Sequence, residues 1–235
     1  MELFLLINLI ALLIPVLFSI WRKSFREINW LALIVAILCS GTFFVLRNYY
    51  LIHIGVKVYN PEHLIGSYIF GIPIEDILFF VTVPYAFIFI YRWTTKYFKH
   101  LEIQQFTYVF SLILTLTSIL LSVVYYDHIY TFLTVSVLAI LNGVVYFGYT
   151  PKWYSKFLIA FFLVTLHYIL IDGIITLSVE NKIVFHAEDS VIGLYFFSIP
   201  IEDLLGFFLL FLMVTTCYEV FQKKLYAKKA EEVFE

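Results

Sequence analysis

Residues 65–80 read IGSYIFGIPIEDILFF, and residues 192–207 read IGLYFFSIPIEDLLGF. At a constant offset of 127 positions, 11 of the 16 residues are identical, including all of Ile-Pro-Ile-Glu-Asp. A repeat of this kind constrains the fold more than any other feature, because it calls for two copies of one structural unit. Each copy sets two adjacent carboxylates, Glu75–Asp76 and Glu202–Asp203, inside an otherwise apolar run. The 235 residues are 63% hydrophobic and 14% charged, with a mean hydropathy of +0.95. That is more apolar surface than a soluble domain can bury, so the bilayer is the expected solvent. Ionisable residues at membrane depth are costly and read as functional.

Apolar runs of helical length predict seven spans. They cover Leu3–Ile20, Trp30–Leu46, Leu64–Tyr91, Phe106–Tyr126, Ile129–Phe147, Phe157–Leu177 and Val191–Phe221. The first run has no basic leader and ends in WRKSFR, so it reads as a retained helix and not a signal peptide. Of the lysines and arginines in the connections and tail, 12 fall on one side and only Arg47, Lys57 and Lys182 on the other. This bias places the N-terminus outside and the C-terminus in the cytoplasm. The offset maps span one onto five, two onto six and three onto seven. The expected architecture is all-α and integral to the membrane: two parallel three-helix repeats, residues 1–92 and 128–222, joined by a linker with a fourth helix, 93–127, and followed by a tail, 223–235. Glu75 lies 17 residues before Arg92, roughly 25 Å of helix, so the acids sit in the outer part of the hydrocarbon layer.

Two local readings of the motif stay open. Pro73 and Pro200 can start their helices, leaving the acids in the first turn. Alternatively, each helix runs through its proline, freeing the carbonyls of Ile69 and Phe196 and kinking. Adjacent residues on a helix point about 100° apart, so at most one acid of each pair faces a given substrate. A carboxyl group in apolar surroundings favours its neutral form and can donate a proton. The walls beside the acids are aromatic: Tyr68, Phe70, Phe79, Phe80, Tyr195, Phe197, Phe207 and Phe208. Ring faces stabilise cations, which suits a carbocation intermediate. Asp172 and Asn48 are further polar candidates near the outer ends of spans six and two. His167 reads as a packing residue, and His53, His63, His128 and His186 as outer loop residues.

No nucleotide-binding glycine motif and no GxSxG is present, and no lysine precedes Lys223 in the seventh span to anchor retinal. No His/Asp/Glu spacing suggests a metal, Cys39 and Cys217 suggest neither disulfide nor metal, and no basic stripe suggests nucleic acid. No cofactor is expected.

The doubled Pro-x-Glu-Asp motif, the seven spans and the phrases YNPEHLIGSYIFGIPIEDILFFVTVPYAF and VIGLYFFSIPIEDLLGFFLL resemble the membrane-integral lycopene cyclases, in which the halves are separate subunits or one fused chain. LIPVLFSIWRKSF is similar to that family's first helix and loop. The resemblance implies that Glu75, Asp76, Glu202 and Asp203 are the essential acids, with Glu75 and Glu202 as the primary pair and Pro73 and Pro200 as fixed neighbours. It implies protonation of a linear carotenoid end group, ring closure through a cation, and deprotonation to a β-ionone ring. Lycopene in the lipid phase is the implied substrate, in a bacterial plasma membrane, with association with other carotenoid enzymes an option. Two positions depart from the family pattern: Arg47-Asn48 stand where Trp-Asp is expected, and Tyr91-Arg92 where a tyrosine-acid pair is expected. The rival readings are a proton-coupled or SWEET-like carrier, which shares the three-plus-one-plus-three plan, and a non-catalytic carotenoid-binding protein.

Overall fold

A computed structural model of the chain describes residues 3–22, 28–101, 103–175, 183–196 and 199–234. Seven helices run α1 (Leu3–Arg22), α2 (Trp30–His53), α3 (Ile74–Tyr97), α4 (Gln104–Val124), α5 (Ile129–Gly143), α6 (Tyr154–Ile175) and α7 (Ile201–Phe234). A π-helical turn, Val144–Gly148, extends α5. Among the described residues, five helices are long and apolar enough to cross a membrane: α2, α3, α4, α5 with its π turn, and the Ile201–Leu225 part of α7. Side chains face outward as a lipid-solvated bundle requires. On α4, Ile113, Leu116, Leu120 and Val123 are all more than half exposed.

The third and seventh helices begin later than the apolar runs suggest. Residues 68–69 and 72–73 form a short hairpin, β2 (Tyr68–Ile69) and β3 (Ile72–Pro73). Its turn uses Phe70 at φ 51° and Gly71 at φ 79°. The second copy repeats it as β5 (Tyr195–Phe196) and β6 (Ile199–Pro200). Such short strands are as apolar as helices, so hydropathy alone merges them with the helix that follows. Each proline, lacking an N–H, closes its hairpin and starts a helix; the helix does not run through it. The first backbone N–H is met by the loop: Ile74 donates to the Ser67 carbonyl and Ile201 to the Leu194 carbonyl, at 3.0 and 2.9 Å.

The second helix ends later than expected, so Arg47 and Asn48 lie within α2 and not beyond it. Chain then leaves α2 into β1 (Lys57–Tyr59), which pairs antiparallel with β4 (Val184–His186), the strand after α6. The register is Lys57 with His186, Val58 with Phe185 and Tyr59 with Val184. Val58 and Phe185 are 127 positions apart, so the ribbon is centred on the relation between the repeats. These strands qualify the all-α expectation.

The packing follows the same relation. Helix α1 lies on α3 as α5 lies on α7, while α2 packs on α7 and α6 on α3, across the repeats. Gly41 of α2 lets that helix approach α3, where a Cβ would stand 3.3 Å from the Phe80 carbonyl oxygen. Between α3 and α7 the rings of Phe87 and Phe211 stack at 4.1 Å, with Phe157 and Phe161 of α6 around them. The thiols of Cys39 and Cys217, distant in sequence, meet across α2 and α7 and remain free. At the end of the bundle away from the ribbon, Tyr91 donates to Glu219 at 2.7 Å, and Tyr218 accepts from the Asn29 N–H at 3.2 Å. Each half thereby clasps a tyrosine of the repeated helix.

Candidate active site

The four motif acids occupy the first turns of α3 and α7, where the positive end of the helix dipole favours negative charge. They divide by residue type. Glu75 and Glu202 are fully buried and turn back onto the loop before their own hairpin. Glu75 Oε1 accepts from the Ile65 N–H at 2.5 Å, and Glu202 Oε1 from the Ile192 N–H at 2.6 Å, the same span of ten residues in each copy. Thr131 adds a hydroxyl to Glu202 at 2.8 Å. In both glutamates Oε2 is buried with no hydrogen-bond partner among the described residues.

Asp76 and Asp203, about 100° further round their helices, open into one cavity of about 450 Å³ between the repeats. Its floor is apolar, formed by Phe44, Phe79, Phe80, Phe207 and Leu210, and the β1–β4 ribbon stands at its polar end. The surroundings of the two aspartates differ. Asp76 accepts from Asn48 Nδ2 at 2.7 Å and from Lys57 Nζ at 3.4 Å. Asp203 accepts from the Tyr130 hydroxyl at 2.5 Å, and His186 Nε2 lies 3.9 Å from the same oxygen. The His186 ring packs on the Tyr130 ring at 4.2 Å. Arg47 also lies over that phenol, 4.7 Å from its centroid, and bonds to Thr134.

The offset explains the difference. Tyr130 corresponds to Leu3, Lys57 to Val184 and His186 to Tyr59, so each repeat carries a different polar set at equivalent positions. Burial lowers Lys57 below the ordinary lysine range, with the Asp76 carboxylate opposing that shift. Burial also lowers His186, with Asp203 opposing. Tyr59 is raised well above the usual phenol range, by burial and then by Asp76, and keeps its proton.

Among the aromatic candidates, Phe79, Tyr195 and Pro200 line the cavity together with Phe80 and Phe207, while Phe208 packs into the core. Pro73 is buried but serves its hairpin. Tyr68 and Phe70 point outward on the first hairpin, Phe70 being 86% exposed. Phe197, Lys182 and the side chains of Asp172 and His167 lie outside the described residues. His186, read from the sequence as an outer loop residue, has a side chain only 5% exposed and faces the acids. Lys57, Tyr130 and Arg47 are not among the site residues expected from the sequence, although Arg47 stands out there as a departure from the family pattern. The signal available was charge: Arg47 and Lys57 are two of the three cations on a side otherwise poor in them. No group of three or more metal-ligating side chains occurs among the described residues.

A model of the lycopene cyclase family matches residues 2–94 and again 127–221, together four fifths of the chain. The two matches cover the two repeats and leave out α4. No curated protein matches the chain, and neither does any solved structure.

Proposed function

Because the chain belongs to the lycopene cyclase family, we propose that it closes linear carotenoid ψ-end groups into β-ionone rings, with lycopene as substrate. The observation that carries this reading is the meeting of one aspartate from each repeat in a single cavity with an aromatic floor. A volume of about 450 Å³ falls in the ordinary range for small-molecule sites, roughly 300–1,000 Å³. It suits one end group and leaves the polyene to extend into lipid. The apolar, aromatic lining also favours chemistry on a hydrocarbon over transport of a polar solute.

The reaction needs a donor, a surface for the cation, and a base. Asp203, bonded by one neutral hydroxyl, protonates C2 of the terminal double bond, leaving a tertiary cation at C1. The π pair of C5=C6 forms the C6–C1 bond and moves the charge to C5. Faces of Phe79, Phe80 and Phe207 stabilise the cation in both positions. Asp76 then removes the proton from C6, and that C–H pair restores the C5=C6 double bond. Its two N–H donors suit a carboxylate, because charge-assisted bonds of this kind favour the anion. Glu75 and Glu202 hold the hairpins and so aim the aspartates. No electron is gained or lost overall.

The same reading places all seven helices across the membrane as two parallel three-helix repeats with α4 as linker, the ribbon outside and the C-terminus in the cytoplasm. The packing of α2 on α7 and α6 on α3, and a family match that skips α4, support it.

Pigment analysis of lycopene-accumulating cells expressing the chain tests the proposal. Monocyclic and bicyclic carotenes are expected, and in heavy water each ring formed gains one deuterium, at C2. Lycopene left unchanged by well-inserted protein would sink it.

A further inference from the structure

The cyclisation is proton-neutral, but it leaves its acids exchanged. After each ring Asp203 lacks a proton and Asp76 holds an extra one, so the site must be reset. The two aspartates face the same cavity, yet no hydrogen bond joins them among the described residues. What links them is the ribbon.

Lys57 and His186 are register partners across β1 and β4. Directly opposed residues of an antiparallel pair put their side chains on one face, with Cβ atoms about 5 Å apart. That face is turned to the cavity, which both side chains line. Lys57 Nζ is 3.4 Å from Asp76, and His186 Nε2 is 3.9 Å from Asp203. His186 Nε2 is buried and makes no hydrogen bond, so a small turn of the ring brings it onto the carboxylate. Asp76 and Lys57 lie together at one end of this face and His186 and Asp203 at the other, and the Lys57 charge acts on the His186 ring between them.

We propose that Lys57 and His186 form the proton return of the reaction, Lys57 taking the proton that Asp76 removes from the ring carbon and His186 restoring one to Asp203. The proposal rests on the cyclase reading above. The charge balance closes: one proton enters Asp203, one leaves Asp76, and both relay residues end as they began. Both act through the aspartates and not on the carotenoid. The pairing also accounts for the chemical asymmetry of the repeats, since Lys57 has Val184 and His186 has Tyr59 as its counterpart.

The groups facing His186 are Asp203 and Glu202 from α7, Arg47 from α2, Lys57 from β1 and Tyr130 from α5, with Glu188 also lining the cavity. Burial is the largest influence and lowers the imidazole below its usual 6.5. His186 is therefore neutral at pH 7 and becomes locked in its protonated form only in acid. An acid limb of the parent's activity profile is expected below pH 6.5. The unfolded chain takes up this proton first, so His186 favours the fold above about pH 6.5 and that contribution is lost as pH falls.

The test compares the parent with His186→Phe, which keeps a ring against Tyr130, and Lys57→Met, which keeps the stem. All are assayed on lycopene in membranes at equal inserted protein. Each variant is expected to turn over on the order of 10- to 100-fold more slowly, and His186→Phe to lose the acid limb. Added imidazole should restore much of the lost rate. Pyrazole, alike in shape but not a base near neutral pH, should not. A His186→Phe enzyme with parental rate and pH profile overturns the proposal, and so does a loss that imidazole repairs no better than pyrazole. A parent that leaves lycopene unchanged instead overturns the cyclase reading, before any variant is compared.

Discussion

Asp76→Asn and Asp203→Asn are each expected to lower ring formation by at least about 100-fold without removing the protein from the membrane. Asparagine keeps the shape of aspartate and can still accept a hydrogen bond. The hydroxyl of Tyr130 and the amide of Asn48 therefore retain an acceptor, and the first turns of α3 and α7 keep their geometry. What is lost is the proton at position 203 and the negative charge at position 76. General acid–base groups typically contribute about 10²–10⁴ in rate, so either loss alone should nearly silence the enzyme. The double variant should be little worse than the poorer single one, because groups that act on one reaction coordinate are not additive. Pigment profiles normalised to inserted protein give the answer. If Asp76→Asn keeps a tenth of the parental conversion, Asp76 is not the base.

The glutamates should fail differently. Removing the side chain in Glu75→Ala or Glu202→Ala leaves a loop N–H, that of Ile65 or Ile192, without its acceptor. An orphaned buried donor costs about 1–3 kcal/mol. At about 2–4 °C per kcal/mol for a chain of this size, the melting midpoint in detergent should fall measurably. Activity should fall with it, because the hairpin fixes where the neighbouring aspartate points. Glu→Gln keeps a carbonyl oxygen for the loop N–H, so much of the stability and part of the activity should survive. The contrast between Asp→Asn and Glu→Gln is the informative measurement. Glu75→Gln and Glu202→Gln variants that are stable but as inactive as Asp→Asn would assign the chemistry to the glutamates.

Much of this arrangement is legible in the sequence, for identifiable reasons. The 127-residue offset is an arithmetic fact, and it foretells that whatever forms around one motif recurs around the other, as the two matched hairpins do. The acids stand out because nothing else charged interrupts those apolar runs. Helix starts were less legible, since Ile65–Ile72 is as hydrophobic as the helix that follows and only Gly66, Gly71 and Pro73 mark the change. The division of labour within each acid pair was not legible at all. A rotation of about 100° separates neighbours on a helix, but the rotation that faces the cavity is set by packing of α2 on α7 and α6 on α3. His186 and Lys57 were hidden for a related reason. Each sits in a short connecting segment that looks solvated, and only their pairing across the repeats turns them inward.

A linear carotenoid has two ends, whereas both aspartates open into the same cavity. On the proposed reaction, the enzyme would therefore work distributively on its own substrate. After a first ring, the half-finished molecule would have to withdraw into lipid, turn end for end, and enter again in competition with untouched lycopene. The ratio of one-ringed to two-ringed product is then decided by the crowding of the membrane as well as by the protein. A cell could change its pigment by changing how much substrate it makes.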